Sequence, residues 1–64
     1  MRFSKVKLGI AMSRKGYNFL TLAEASGVSR TTLSYINNGK TCRPDIASKI
    51  ANALEVDITE LLED

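Results

Sequence analysis

The chain has 64 residues, 44% of them hydrophobic and 25% charged, so it has room for one domain with a small core. It contains no histidine and one cysteine, Cys42, which excludes imidazole catalysis, an internal disulfide and a Cys/His zinc site. Its apolar runs are too short to cross a bilayer, and no secretory signal is recognisable. We therefore expect a single non-enzymatic domain over residues 1–64 that is cytoplasmic and has no metal and no cofactor.

The charges are segregated along the chain. Residues 1–43 carry eight of the nine basic side chains and one acidic one, Glu24, for a net charge of +7. Residues 44–64 carry Lys49 against six acidic side chains, for a net charge of −5. Such a separation gives a small domain a positive side that attracts a polyanion such as nucleic acid. A basic face that only keeps the protein in solution fits the charge equally well.

Residues 3–14 are predicted to form the first helix. Apolar residues recur there close to helical spacing, at Phe3, Val6, Leu8, Ala11 and Met12. Gly16 follows, and it suits the left-handed position that closes a helix.

Two further helices follow in quick succession. Asn18 is a good N-cap for a short second helix, which must stop at Gly27. Ser29 is the corresponding cap of a third helix, which ends by turn chemistry at Asn38-Gly39.

The remaining residues predict two more helices. Pro44 occupies the first turn of a fourth helix, whose apolar positions are Ile46, Ile50, Ala53 and Leu54. Asp57 and Glu60 are spaced as a capping box for a fifth helix, and Leu61-Leu62 would close the core. No segment has a strand signal, so the predicted fold class is all-α with five short helices.

Residues 19–39 carry most of the functional information. Two short helices meet at a turn that contains Gly27, and the small residue Ala23 lies four positions earlier, where steeply crossed helices approach closely. Val28 would fill the corner between them. The second of these helices is held inward by Leu33 and Ile36. This is the pattern of a helix-turn-helix.

The ordered set of these residues resembles the lambda-repressor-like DNA-binding domains of the Cro and phage-repressor type over nearly the whole chain. The matching positions are Leu22-Ala23, Gly27, Leu33, Ile36, Asn38-Gly39-Lys40-Thr41, Arg43-Pro44, Ala53-Leu54-Glu55-Val56 and Leu61-Leu62. The resemblance implies a compact five-helix domain whose third helix enters the major groove of double-stranded DNA.

The resemblance also implies two sets of DNA contacts. The base-reading residues would be Arg30, Thr31, Ser34 and Tyr35. The phosphate-binding residues would be Ser29, Asn38, Lys40, Thr41 and Arg43. The chemistry agrees, because a guanidinium group can bind O6 and N7 of guanine, and because phosphates are held by cations, hydroxyls and main-chain N–H groups.

Two positions depart from the family pattern. Relatives often carry glutamine at the start of the second helix, where this chain has Phe19, and an arginine–acid pair where it has Met12 and Asn37. Apolar packing in place of such a pair leaves a fold intact. We expect Met12 and Phe19 to belong to the core, and we do not carry over the phosphate clamp or the operator sequence.

We interpret the chain as a sequence-specific DNA-binding transcriptional regulator of the repressor type. It would bind a palindromic operator as a weak homodimer formed mainly on DNA, with contacts near residues 43–46 and 56–61. Two alternatives stay open. One is an antitoxin that pairs the same DNA-binding surface with a toxin, through residues 60–64. The other is a protein-interaction module that kept the fold and lost DNA binding.

Overall fold

Four α-helices and one final 3₁₀ turn make up the computed structural model, which describes residues 1–63. They are α1 (Lys5–Lys15), α2 (Phe19–Ser26), α3 (Arg30–Asn37), α4 (Pro44–Leu54) and the turn Ile58–Glu60. No strand longer than an isolated bridge occurs in this part of the chain, which confirms the all-α prediction. None of these helices has the length and apolar character to span a membrane.

The ends of α2 and the start of α3 follow from the residues predicted to cap them. The Asn18 side chain accepts a hydrogen bond from the Thr21 backbone N–H at 2.9 Å, and Ser29 accepts one from Thr32 N–H at 3.1 Å. Gly27 ends α2 with a φ of 75°, a conformation that costs glycine little. These caps fix where the chain turns between α2 and α3.

The first helix begins two residues later than predicted. Ser4 is its N-cap and accepts a hydrogen bond from the Lys7 backbone N–H at 3.2 Å. Phe3 is buried as expected, but it lies in an extended segment before the helix. Val6 also differs from the prediction: it is 70% exposed, because it lies on the helix face opposite Leu8 and Met12.

The fifth predicted helix is a single 3₁₀ turn. Its capping box does form, with Asp57 N–H donating to Glu60 Oε2 at 3.1 Å. The turn ends there because the Leu61 carbonyl accepts a hydrogen bond from Ser4 N–H at 2.7 Å and Leu62 forms an antiparallel bridge with Phe3. The chain is thereby diverted into an extended segment.

The N-terminal segment lies between two other parts of the chain. Arg2 forms an antiparallel bridge with Thr41, in the loop between α3 and α4, and Phe3 forms one with Leu62. These pairs join residues that are far apart in the sequence, so they hold the loop and the C-terminal residues to the same edge of the domain.

One apolar core connects all the helices. Its buried members are Phe3, Leu8, Ala11, Met12, Leu22, Val28, Leu33, Ile36, Ala47, Ile50, Ala51, Leu54 and Leu61. No polar or charged residue is buried within residues 1–63. Met12 lies in the core as predicted, and Asn37 is half-buried at the position where relatives often carry an acid.

Candidate nucleic-acid interface

The predicted base-reading residues lie together on one side of α3. Residues 30, 31, 34 and 35 share a face because the helix repeats every 3.6 residues. The opposite face carries Leu33 and Ile36, both fully buried. The core therefore fixes the rotation of α3 and turns its polar face outward.

An open groove of about 940 Å³ runs along this polar face. It is lined by Asn18, Phe19, Leu20, Arg30, Thr31, Ser34, Tyr35 and Asn38. All four predicted base-reading residues are among them, together with one predicted phosphate-binding residue. The other wall is the start of α2, so the groove lies where the two helices of the helix-turn-helix meet.

The α2 wall contains residues that the sequence did not assign to the site. Leu20 is 49% exposed and faces the groove, although an apolar residue inside a short helix is more often part of the core. Its spacing of two from buried Leu22 is the signal that could have placed it on the outer face. Phe19 packs against the core as predicted, and it also lines the groove.

Two of the predicted phosphate-binding residues have structural partners in α3. The Ser29 hydroxyl caps the helix and donates to the Thr32 hydroxyl at 2.9 Å, so its proton is already in use. Asn38 closes the other end, where its backbone N–H donates to Ser34 O at 3.1 Å. The Asn38 residue borders the groove, whereas Ser29 does not.

The remaining three, Lys40, Thr41 and Arg43, lie in the loop between α3 and α4, outside the groove lining. The Arg43 guanidinium binds the Asp45 carboxylate with both arms, at 2.8 Å from Nη2 to Oδ2 and 3.2 Å from Nε to Oδ1. The hydrogen bonds from Arg43 lower the pKa of the Asp45 carboxyl. Arg43 is therefore paired with an acid in the first turn of α4.

The segregated charges of the sequence are partly joined in three dimensions. Lys15 at the end of α1 makes an ion pair with Glu55 after α4, which raises the pKa of Lys15 and lowers that of Glu55. Five cations of residues 1–43 make no ion pair with any described residue, namely Arg2, Lys5, Arg14, Arg30 and Lys40. Positive charge thus remains on α3 and in the loop beside it.

Groups of three or more His, Cys, Asp or Glu side chains that could hold a metal ion do not occur within residues 1–63. Cys42 is half-buried in the loop, and burial raises the pKa of its thiol.

Comparison with known proteins gives a consistent result. The family model described as Cro/C1-type HTH DNA-binding domain matches residues 7–64. The chain is 42% identical over 52 residues to the HTH-type transcriptional regulator SlrR of Bacillus subtilis (strain 168), and the match covers 78% of this chain and 34% of SlrR.

Two solved structures of PhpD share the fold. One contains cadmium complexed with hydroethylphosphonate, and the other is native PhpD with cadmium atoms. Each has a TM-score of 0.84 and 26% sequence identity, and each match covers 100% of this chain and 14% of the PhpD chain. The chain thus spans a minor part of the relatives that it matches.

Proposed function

This chain belongs to the Cro/C1-type helix-turn-helix DNA-binding family, and we propose that it is a sequence-specific repressor that reads the major groove with α3. The observation that supports this best is the groove along α3. It gathers four side chains able to contact base edges, on a helix whose other face is held in the core.

The proposed base-reading residues differ in what they recognise. Arg30 at the start of α3 suits guanine, because its guanidinium can donate to O6 and N7 together. Thr31 and Ser34 can donate to or accept from base edges through their hydroxyls. Tyr35 is 55% exposed, and with Leu20 it offers apolar contact to a thymine methyl.

The proposed phosphate contacts flank this reading surface. Lys40 and Thr41 supply a cation and a hydroxyl from the loop after α3, and Asn38 supplies an amide at the edge of the groove. Ser29 would contribute at the other end of α3. Arg43 would have to exchange its Asp45 partner for a phosphate, so its net contribution is the smallest of the set.

Two copies are needed for useful specificity. One reading helix covers only a few base pairs, which is too little against the competing sites of a genome. We propose a palindromic operator with two half-sites about 34–36 Å apart, each bound by one copy. Binding to that operator would be sufficient to repress transcription, because the bound protein prevents other proteins from reaching the same DNA.

Selection of bound sequences from a pool of random duplexes tests the proposal. We expect an enriched palindromic site. For about six phosphate contacts, the logarithm of the affinity for that site should fall against the logarithm of the salt concentration with a slope of about −5. Failure to enrich any sequence, together with a slope near zero, would favour a protein-interaction module and reject the DNA-reading function.

A further inference from the structure

The bridge between Arg2 and Thr41 fixes where the Arg2 side chain lies. The adjacent hydrogen bond runs from Cys42 N–H to Met1 O at 2.8 Å, so the bridged residues form a non-hydrogen-bonded pair. In such a pair the Cα atoms approach to about 4.5 Å and the two side chains lie on the same face. Both Arg2 and Thr41 are exposed, so this face is the outer one.

On its other edge, the N-terminal segment pairs with the C-terminal residues, and this pairing places the Glu63 carboxylate on the same outer face. Glu63 N–H donates to Arg2 O at 3.0 Å, and Ser4 N–H donates to Leu61 O at 2.7 Å. This register places Glu63 directly across from Arg2, while Phe3 points to the other side and is buried. Thr41, Arg2 and Glu63 therefore form a row across three backbone segments.

Arg2 is the cation of this row, and it stands directly beside Thr41. It makes no hydrogen bond or ion pair with the side chains of residues 1–63, although Glu63 lies across from it. Arg43, the arginine that the sequence had assigned to phosphate binding, is bound by Asp45. An anion held at Thr41 would thus be within the range of the Arg2 side chain without breaking an existing bond.

We propose that Arg2 is a DNA-contacting residue that binds the backbone phosphate next to the one held by Thr41, and that Glu63 weakens this contact by competing for the same guanidinium. This inference rests on the proposed function, since it requires the loop of Thr41 to lie against DNA. It assigns to the N-terminal segment a part of the phosphate-binding surface that belongs to neither helix of the helix-turn-helix.

Three variants of the full chain test the inference on the best duplex recovered from the random pool. Arg2→Gln should make the slope of log affinity against log salt shallower by about one, the effect of one lost phosphate contact. Glu63→Gln should tighten binding at low salt, and the double variant should show no such gain. Lys49→Gln is the matched control, because it removes one exposed positive charge from α4, outside the proposed interface.

Ethylation of single phosphates locates the contact independently. In the unmodified chain, ethylation of the phosphate adjacent to the Thr41 contact should interfere with binding, and in Arg2→Gln that interference should be lost. The fold should survive the substitution, because the side chain is exposed and the backbone bonds remain, and thermal unfolding checks this.

The outcomes separate the two proposals. If Arg2→Gln and Lys49→Gln give the same salt slope and the same interference pattern, the role of Arg2 is overturned and the proposed function stands. If the unmodified chain enriches no sequence and shows no salt dependence, both are overturned.

Discussion

Arg30 and Lys40 are cations on the same proposed surface, but they are held in different ways. Arg30 lies in the groove at the start of α3, and Lys40 lies in the loop after it. We predict that Arg30→Ala costs roughly 1–3 kcal/mol of binding free energy and relaxes the choice at one base pair. Lys40→Ala should weaken binding to all sequences alike and make the salt slope shallower by about one.

Parallel titrations on the selected site and on a scrambled duplex distinguish these effects. Arg30→Ala should reduce the ratio between the two affinities, and Lys40→Ala should leave that ratio unchanged. An equal loss on both duplexes for Arg30→Ala would mean that this arginine binds a phosphate and not a base.

Glu55 has a backbone conformation that is unusual for a residue with a side chain. It closes α4 with a φ of 57°, in the left-handed region that favours glycine. Glu55→Gly should relieve this strain and Glu55→Gln should keep it, while both lose the ion pair with Lys15. We predict that the glycine variant unfolds roughly 4–8 °C above the glutamine variant. In a domain of this size, even a small gain in the free energy of unfolding shifts the unfolding temperature by that much.

Both variants lack the ion pair with Lys15, so its loss does not affect the difference between their unfolding temperatures. Exposed ion pairs also contribute little to stability. Equal unfolding temperatures for the two variants would show that the left-handed conformation of Glu55 is not strained in this context.

The final 3₁₀ turn depends on a carboxylate cap. Asp57 accepts hydrogen bonds from the Thr59 backbone N–H at 2.9 Å and from its hydroxyl at 2.7 Å, and these bonds lower the pKa of the Asp57 carboxyl. Because the folded-state pKa lies below the unfolded one, the stabilisation is complete above the ordinary value of about 4. It is lost as the pH falls through the lower folded-state pKa.

Asp57→Asn keeps a side-chain oxygen at the cap and removes the charge. We predict that this variant unfolds a few degrees below the parent near neutral pH, and that the difference shrinks below about pH 4 and is gone once the pH lies below the folded-state pKa of Asp57. Thermal unfolding over a pH series measures this difference. Asp45 and Glu55 also have lowered pKa values, but both proteins carry them, so their contributions to the pH dependence cancel. A difference that persisted in acid would show that the cap does not depend on the charge.

The interior helices could be predicted from the sequence because their signals are local. Each of α2, α3 and α4 has a cap or a proline at its predicted start, and α2 and α3 also end where their turn residues predict. The last turn has the same local signal, yet it ends after Glu60. The competing hydrogen bond from Ser4 to Leu61 comes from the opposite end of the chain, and no local pattern contains it.

The same distinction applies to the candidate site. The polar face of α3 follows from helical spacing, so its four residues could be placed together in advance. The α2 wall of the groove depends on how two helices cross, and the position of Arg2 depends on a bridge to Thr41. Those features are tertiary, and residue type alone did not single out Leu20 or Arg2.

Across the whole molecule, the opposite charges do not form two separate halves. Lys15 and Arg43 from the basic segment are paired with Glu55 and Asp45 from the acidic one. The long-range attraction of DNA therefore depends on fewer cations than the net charge of +7 over residues 1–43 suggests. Those cations include Arg30 and Lys40, which strengthens the positive potential near α3 relative to the rest of the surface.

The surface proposed for pairing two copies is small. Leu61 belongs to the predicted contact region, but it is fully buried and cannot touch a second copy. Val56 and Ile58 in the same region are only half-exposed. Arg43 lies in the other predicted contact region, residues 43–46, and Asp45 of the same copy already binds it. We predict that the protein is monomeric at micromolar concentration and that two copies assemble on a duplex with two half-sites.

Sedimentation with and without the palindromic duplex measures the stoichiometry, and a duplex with one half-site is the control that should bind a single copy. A stable dimer in the absence of DNA, or one copy on the palindromic duplex at saturation, would contradict the prediction.

The antiparallel pairing of residues 2–4 with residues 61–63 also governs how the domain responds to mechanical load. Both segments leave the pair at the same end, so tension applied between residues 1 and 63 would act on the Met1–Cys42 and Glu63–Arg2 hydrogen bonds before it reached the Ser4–Leu61 bond. Bonds loaded one after another resist less force than bonds sheared together. Traction on the two ends would therefore separate the terminal segments one hydrogen bond at a time, and the core would lose Phe3 and Leu61 as they part.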